Sequence, residues 1–146
     1  MIPLSYMNAD ILLVEDNLSD AELTLRALRK SGVTNKIIHL KDGAQLLDYL
    51  FGFGRESAGE LPHLILLDIK MPKVDGLEAL HRIRQEVSTK KIPVVVFGSS
   101  EDHPDIQKAL ALGANSVIIK PLDISGFLRS VENIDHCWLK FNTIPV

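Results

Sequence analysis

Cysteine is almost missing. Cys137 is the only one, so no intramolecular disulfide can staple the fold, and a reducing cytoplasm fits. No apolar run approaches the roughly 20 residues needed to span a bilayer, so no membrane role is expected. The first residues, Met1-Ile2-Pro3-Leu4-Ser5-Tyr6, lack both the basic and the long apolar segment of a secretory signal. A large excess of either charge is missing as well. The net charge is −3, which argues against a direct nucleic-acid partner. The histidines lack metal-ligand spacing such as His-x-x-x-His, and His39, His63 and His103 are expected at strand ends or on the surface. Internal repeats and low-complexity tracts are absent.

What is present is an ordinary globular mixture. The 146 residues are 46% hydrophobic and 24% charged, enough for one domain with a genuine core. Five short apolar runs read as strands: residues 11–14, 36–40, 63–67, 93–97 and 116–119. The second is expected nearer an edge. Segments with helical spacing lie between and after them. Leu18, Ala21, Leu25 and Leu28 mark the first, which Asn17 can cap. Asp42 with Gln45 starts a short helix through Leu50, and Asp75 with Glu78 starts another, with Leu77, Leu80, Ile83 and Val87 on one face. Pro104 opens a fourth helix that runs to Gly113. Asp123 opens a fifth, with Ile124, Phe127, Leu128, Val131 and Ile134 on one side. Glycines between Phe51 and Glu60 mark a long loop. The alternation predicts an α/β fold, a doubly wound five-stranded parallel sheet with helices on both faces. Residues 1–8 read as an extension, 9–136 as the domain and 137–146 as an apolar tail.

The run Leu64-Ile65-Leu66-Leu67 ends on Asp68. A carboxylate at the carboxyl end of a buried parallel strand faces the crevice where open α/β sheets bind ligands. Glu15-Asp16 and Lys120 end two other strands, and a doubly wound sheet brings all of them to one edge. Crowded carboxylates repel one another, so the site calls for a cation. Hard oxygen ligands with room for water suit Mg2+, bound by Glu15, Asp16 and Asp68. Asp68 is then a nucleophile that forms an acyl phosphate, with Lys120 on a phosphoryl oxygen.

The segments Leu13-Val14-Glu15-Asp16-Asn17, Leu67 through Gly76 and Val117-Ile118-Ile119-Lys120-Pro121 resemble the receiver domains of two-component response regulators, over about residues 9 to 136. The resemblance implies the flavodoxin-like receiver topology. It also implies phosphoryl transfer from a sensor histidine kinase to Asp68, and Mg2+ held by Glu15, Asp16, Asp68 and the backbone carbonyl of Lys70. Lys120 would contact the phosphate. The first motif through Ala21, the loop near Gly52-Gly54 and the end from Trp138 to Pro145 resemble the small regulators of bacterial phytochromes. That implies a single-domain, dimeric receiver with a bacteriophytochrome as donor.

Two positions depart from the receiver pattern. Receivers usually carry Thr or Ser where Gly98 stands, and Ser99 is the candidate substitute contact to the phosphate. Many carry an aromatic residue where Val117 stands. A receiver whose switch has decayed, acting as a phosphorylation-independent interaction module, is therefore the alternative. Other classes fit less well. An FMN site wants a hydroxyl- and glycine-rich loop where Glu15-Asp16-Asn17 lies. An Asp-x-Asp phosphatase wants an acid at Lys70, and no Ser-His-Asp set is evident for a hydrolase.

Overall fold

A computed structural model describes residues 11–30, 34–52, 61–69, 75–99 and 103–120, with backbone alone at positions 99, 103 and 120. The expected extension, the loop from residue 53 to 60, Lys70, the helix after Asp123 and the tail lie outside the described residues. The strands are β1 (Ile11–Val14), β2 (Ile37–Leu40), β3 (Leu64–Asp68), β4 (Val94–Ser99) and β5 (Ser116–Lys120). The helices are α1 (Leu18–Lys30), α2 (Gly43–Phe51), α3 (Gly76–Gln85) and α4 (His103–Leu112). All strand pairs are parallel, in the order β2-β1-β3-β4-β5.

The apolar runs form strands because both faces of the sheet are covered. Leu12, Val14, Ile65, Leu67, Val94 and Val96 point into one core, packed by Leu46 and Leu50 of α2, Leu80 and Ile83 of α3, and Ile106 and Ala109 of α4. Ile11, Leu13, Leu64, Leu66, Val95 and Phe97 point into the other, against Ala21, Ala27 and Leu28 of α1. The period of two is that of a pleated strand. β2 is an edge strand, as its sequence suggests, and only Leu40 of its four residues is fully buried.

The expected caps form. Asn17 Oδ1 accepts from the Asp20 amide at 3.0 Å. Asp42 Oδ1 accepts from the Gln45 amide at 2.8 Å, and Gln45 Oε1 reaches back to the Lys41 amide at 2.7 Å. Asp75 Oδ1 accepts from the Glu78 amide at 2.9 Å.

Two expected core positions are on the surface instead. Leu18 is 65% exposed, and Thr24 takes a buried place on α1, its hydroxyl satisfied by the Asp20 carbonyl at 2.9 Å. Val87 is 81% exposed because α3 stops at Gln85 and Glu86 is extended. The buried Thr89 hydroxyl donates to the Ile83 carbonyl at 2.7 Å, in place of a further helical turn.

Arg84 fixes the far end of α3. Its guanidinium donates to the carbonyls of Gly113 (3.0 Å), Lys90 (3.0 Å) and Ile92 (2.8 Å) and to Asn115 Oδ1 (2.9 Å). Asn115 Oδ1 also accepts from the Val94 amide at 2.8 Å, so the cluster ties α3 to the starts of β4 and β5. Gly113 has φ +109°, and a Cβ there would lie 3.0 Å from Arg84 Nε. Burial lowers the pKa of the half-buried Arg84 from its ordinary value. Arg84→Leu keeps the apolar stem but loses the donors. It is expected to lower the unfolding free energy by about 2 kcal/mol in urea denaturation. Arg84→Lys should recover less than half of that, since an ammonium lacks the planar fork.

Candidate metal and phosphoryl site

β1 and β3 are neighbours, and the chain turns to opposite sides of the sheet after each. The crevice between their carboxyl ends is the switch point where such sheets bind ligands. Val14 pairs with Leu67, which brings Glu15 level with Asp68. The Glu15 amide extends the ladder by donating to the Leu40 carbonyl at 3.0 Å. Glu15 is 2% exposed, and its Oε1 accepts from the Asn17 amide at 3.2 Å. Asn17 in turn caps α1, so the turn that carries Asp16 is bound to a helix start.

Asp68 closes β3 and is 8% exposed. The next residue is clamped from two sides. The Ile69 amide donates to the Phe97 carbonyl, and the Ile69 carbonyl accepts from the Gly76 amide, both at 3.0 Å. A Cβ on Gly76 would collide with the Asp68 carbonyl oxygen and lie 2.8 Å from Ile69 Cα. Only glycine lets the start of α3 approach the end of β3 this closely. In the sequence Gly76 stands only as the last residue of a motif. A glycine directly after a helix-capping aspartate was the available signal for its packing role.

Carboxylate oxygens of Glu15, Asp16 and Asp68 lie within 4.8 Å of one another, with Glu15 and Asp68 buried and Asp16 exposed. Two carboxylates at that spacing repel by about 3 kcal/mol at an effective dielectric near 20. A divalent cation offsets this. Opposite oxygens on octahedral Mg2+ are roughly 4.2 Å apart, so the cluster fits such an ion after a small side-chain adjustment.

Lys120 ends β5 and pairs with Ser99 of β4. Asp68 pairs with Phe97, and Phe97 with Ile118, so Lys120 lies two positions beyond the Asp68 row at the same carboxyl edge. The backbones of Ser99 and Lys120 are thus adjacent. Gly98 is buried, and a Cβ there would stand 3.1 Å from Ile69 Cδ1 and 3.3 Å from Ile106 Cγ1. Val117 is half-buried beside that core. His39 lies near the end of β2, as expected, and its Nε2 lies 2.7 Å from the Glu15 carbonyl oxygen.

The response regulator receiver domain matches residues 11–132. The chain belongs to this family. The receiver is 43% identical over 138 residues to the "Probable methanogenesis regulatory protein FilR2" of Methanothrix harundinacea, covering 92% of this chain and 86% of that one. It is 35% identical over 135 residues to response regulator Rcp1 of Synechocystis sp., covering 92% of each. The Mn2+-bound form of Rcp1 superposes with a TM-score of 0.79 at 34% identity, covering 93% of this chain and 98% of that one. The phosphorylated cyanobacterial phytochrome response regulator RcpA gives a TM-score of 0.81 at 36% identity, covering 95% and 99%. These relatives agree with the sheet order and with an acidic site suited to a divalent cation. No helix among the described residues is long and apolar enough to cross a membrane.

Gly76→Ala tests the close approach. It is expected to cost about 1–3 kcal/mol in chemical denaturation. It should also weaken Mg2+ binding by about tenfold in calorimetric titration, because the strand end that carries Asp68 must move.

Proposed function

We propose that this receiver accepts a phosphoryl group on Asp68 from the phosphohistidine of a sensor histidine kinase and signals through protein contact or onward transfer. The observation that carries the reading is the trio of carboxylates at the switch point, two of them buried, with the backbone of Lys120 at the same edge. In the reaction an Asp68 oxygen attacks phosphorus in line. The P–N bond breaks, and its electron pair returns to the donor imidazole. Glu15, Asp16 and Asp68 would hold Mg2+ together with the Lys70 carbonyl, and the ion would supply charge neutralisation to the phosphoryl oxygens. Lys120 is assigned to a phosphoryl oxygen and Ser99 to a second contact on the same group. Glu15 orients the turn that carries Asp16 and adds negative charge to the cation site.

A phytochrome-type kinase is the proposed donor, on the strength of the likeness to RcpA. The interaction-module reading finds support in Gly98, which brings no hydroxyl to the site and whose side-chain space Ile69 and Ile106 border. The two readings differ in whether partner binding depends on the acyl phosphate.

Incubation with Mg2+ and acetyl phosphate, followed by intact-mass measurement, is expected to give one phosphoryl adduct on wild type and none on Asp68→Asn. An adduct that persists in Asp68→Asn would move the nucleophile elsewhere. Asp16→Asn should weaken Mg2+ binding by about tenfold. Lys120→Ala should bind the ion but form the adduct about a hundredfold more slowly.

A further inference from the structure

Glu15 is bound on both sides of its α-carbon to β2. Its amide donates to the Leu40 carbonyl at 3.0 Å, and its carbonyl oxygen lies 2.7 Å from His39 Nε2. The second contact is a side chain's, and it crosses between strands. His39 pairs with Leu13 in the β1–β2 register, so its ring reaches past Val14 to the first residue beyond the strand. A carbonyl oxygen can only accept, so the ring nitrogen that faces it carries the proton.

The carbonyl of Glu15 belongs to the peptide unit whose nitrogen is that of Asp16. Peptide units are planar, so fixing the oxygen of one fixes the direction in which the next residue leaves. Asp16 is the one exposed acid of the three, and packing constrains it least. Its neighbours also hold the turn through backbone amides: Asn17 N–H donates to the Glu15 side chain at Oε1, and Ala21 N–H to the Asn17 carbonyl at 2.9 Å.

We infer that His39 is a positioning residue for the cation site: its ring locks the Glu15–Asp16 peptide so that the Asp16 carboxylate stands ready beside Asp68. The inference rests on the proposed Mg2+-dependent phosphoacceptor role and adds a residue on β2 to that site. His39 touches neither ion nor phosphate. Its effect lies in how strongly the preformed acids bind the metal, and not in the transfer step once metal is bound.

Three variants separate this from general loss of structure. Gln puts its amide nitrogen at nearly the same reach from Cβ as His Nε2, Asn stops about one bond short, and Leu has no donor. Mg2+ binding is measured by calorimetry, adduct formation with acetyl phosphate at saturating Mg2+ by intact mass, and folding by urea denaturation. Mg2+ dissociation constants are expected to rise about tenfold in His39→Leu and His39→Asn, and to stay within about twofold of wild type in His39→Gln. Adduct formation at saturating Mg2+ should remain within about twofold in all three. If His39→Leu does not fold, His39→Asn carries the comparison. Unchanged Mg2+ affinity in the Leu or Asn variant overturns the inference, as does a Gln variant as weak as Leu. Wild type that binds Mg2+ and takes a phosphoryl group on Asp68 upholds the functional reading in either case. Wild type that binds no Mg2+ overturns both.

Discussion

Like charge held at close range governs this fold. Three carboxylates lie within 4.8 Å, and two of them are buried. The repulsion between the two buried ones, about 3 kcal/mol at an effective dielectric near 20, is a sizeable part of the 5–15 kcal/mol that typically keeps a domain folded. Such a cluster persists where the surrounding structure fixes its members, and a divalent cation would balance them. Adjacency of the strands fixes the members. β1 and β3 are central, buried on both faces, and paired so that Glu15 and Asp68 have no freedom to separate. Binding of a divalent ion to such a site is linked to folding, since the unfolded chain does not present the three acids together.

The helices extend this rigidity away from the edge. α1 starts from Asn17, one residue after Asp16, and α3 starts at Gly76, in contact with the backbone of Asp68 and Ile69. At its other end α3 is tied by Arg84 to the starts of β4 and β5. One helix therefore joins the acid edge of the sheet to the opposite edge. Densely packed interiors transmit displacement and do not absorb it, so a change at Asp68 has a direct mechanical route along α3.

Most of this architecture is legible in the sequence because its determinants are local or periodic. Short apolar runs gave the strands, and Asn17, Asp42 and Asp75 gave the helix starts. Acids at the ends of two strands marked the site, because parallel topology sends all carboxyl ends to one edge. What is not legible depends on contacts between elements. Leu18 has the helical spacing of a core residue, yet the rotation of α1 about its axis leaves it outside and buries Thr24, whose hydroxyl the helix itself satisfies. Val87 fits the same period but follows a helix end that Thr89 sets from downstream. His39 gains its place from the register of β2 on β1, which nothing within β2 specifies.

Gly98 joins these threads. At the position where receivers usually carry a hydroxyl, this chain offers no side chain. The space is bordered by Ile69, which follows Asp68, and by Ile106, which lies on α4. A threonine there would need its neighbours to give by several tenths of an ångström at Cβ alone, before its hydroxyl and methyl are placed. Restoring the hydroxyl by one substitution would therefore require Ile69 and Ile106 to shift. Apolar packing of Ile69 and Ile106 around Gly98 joins the end of β3 to α4.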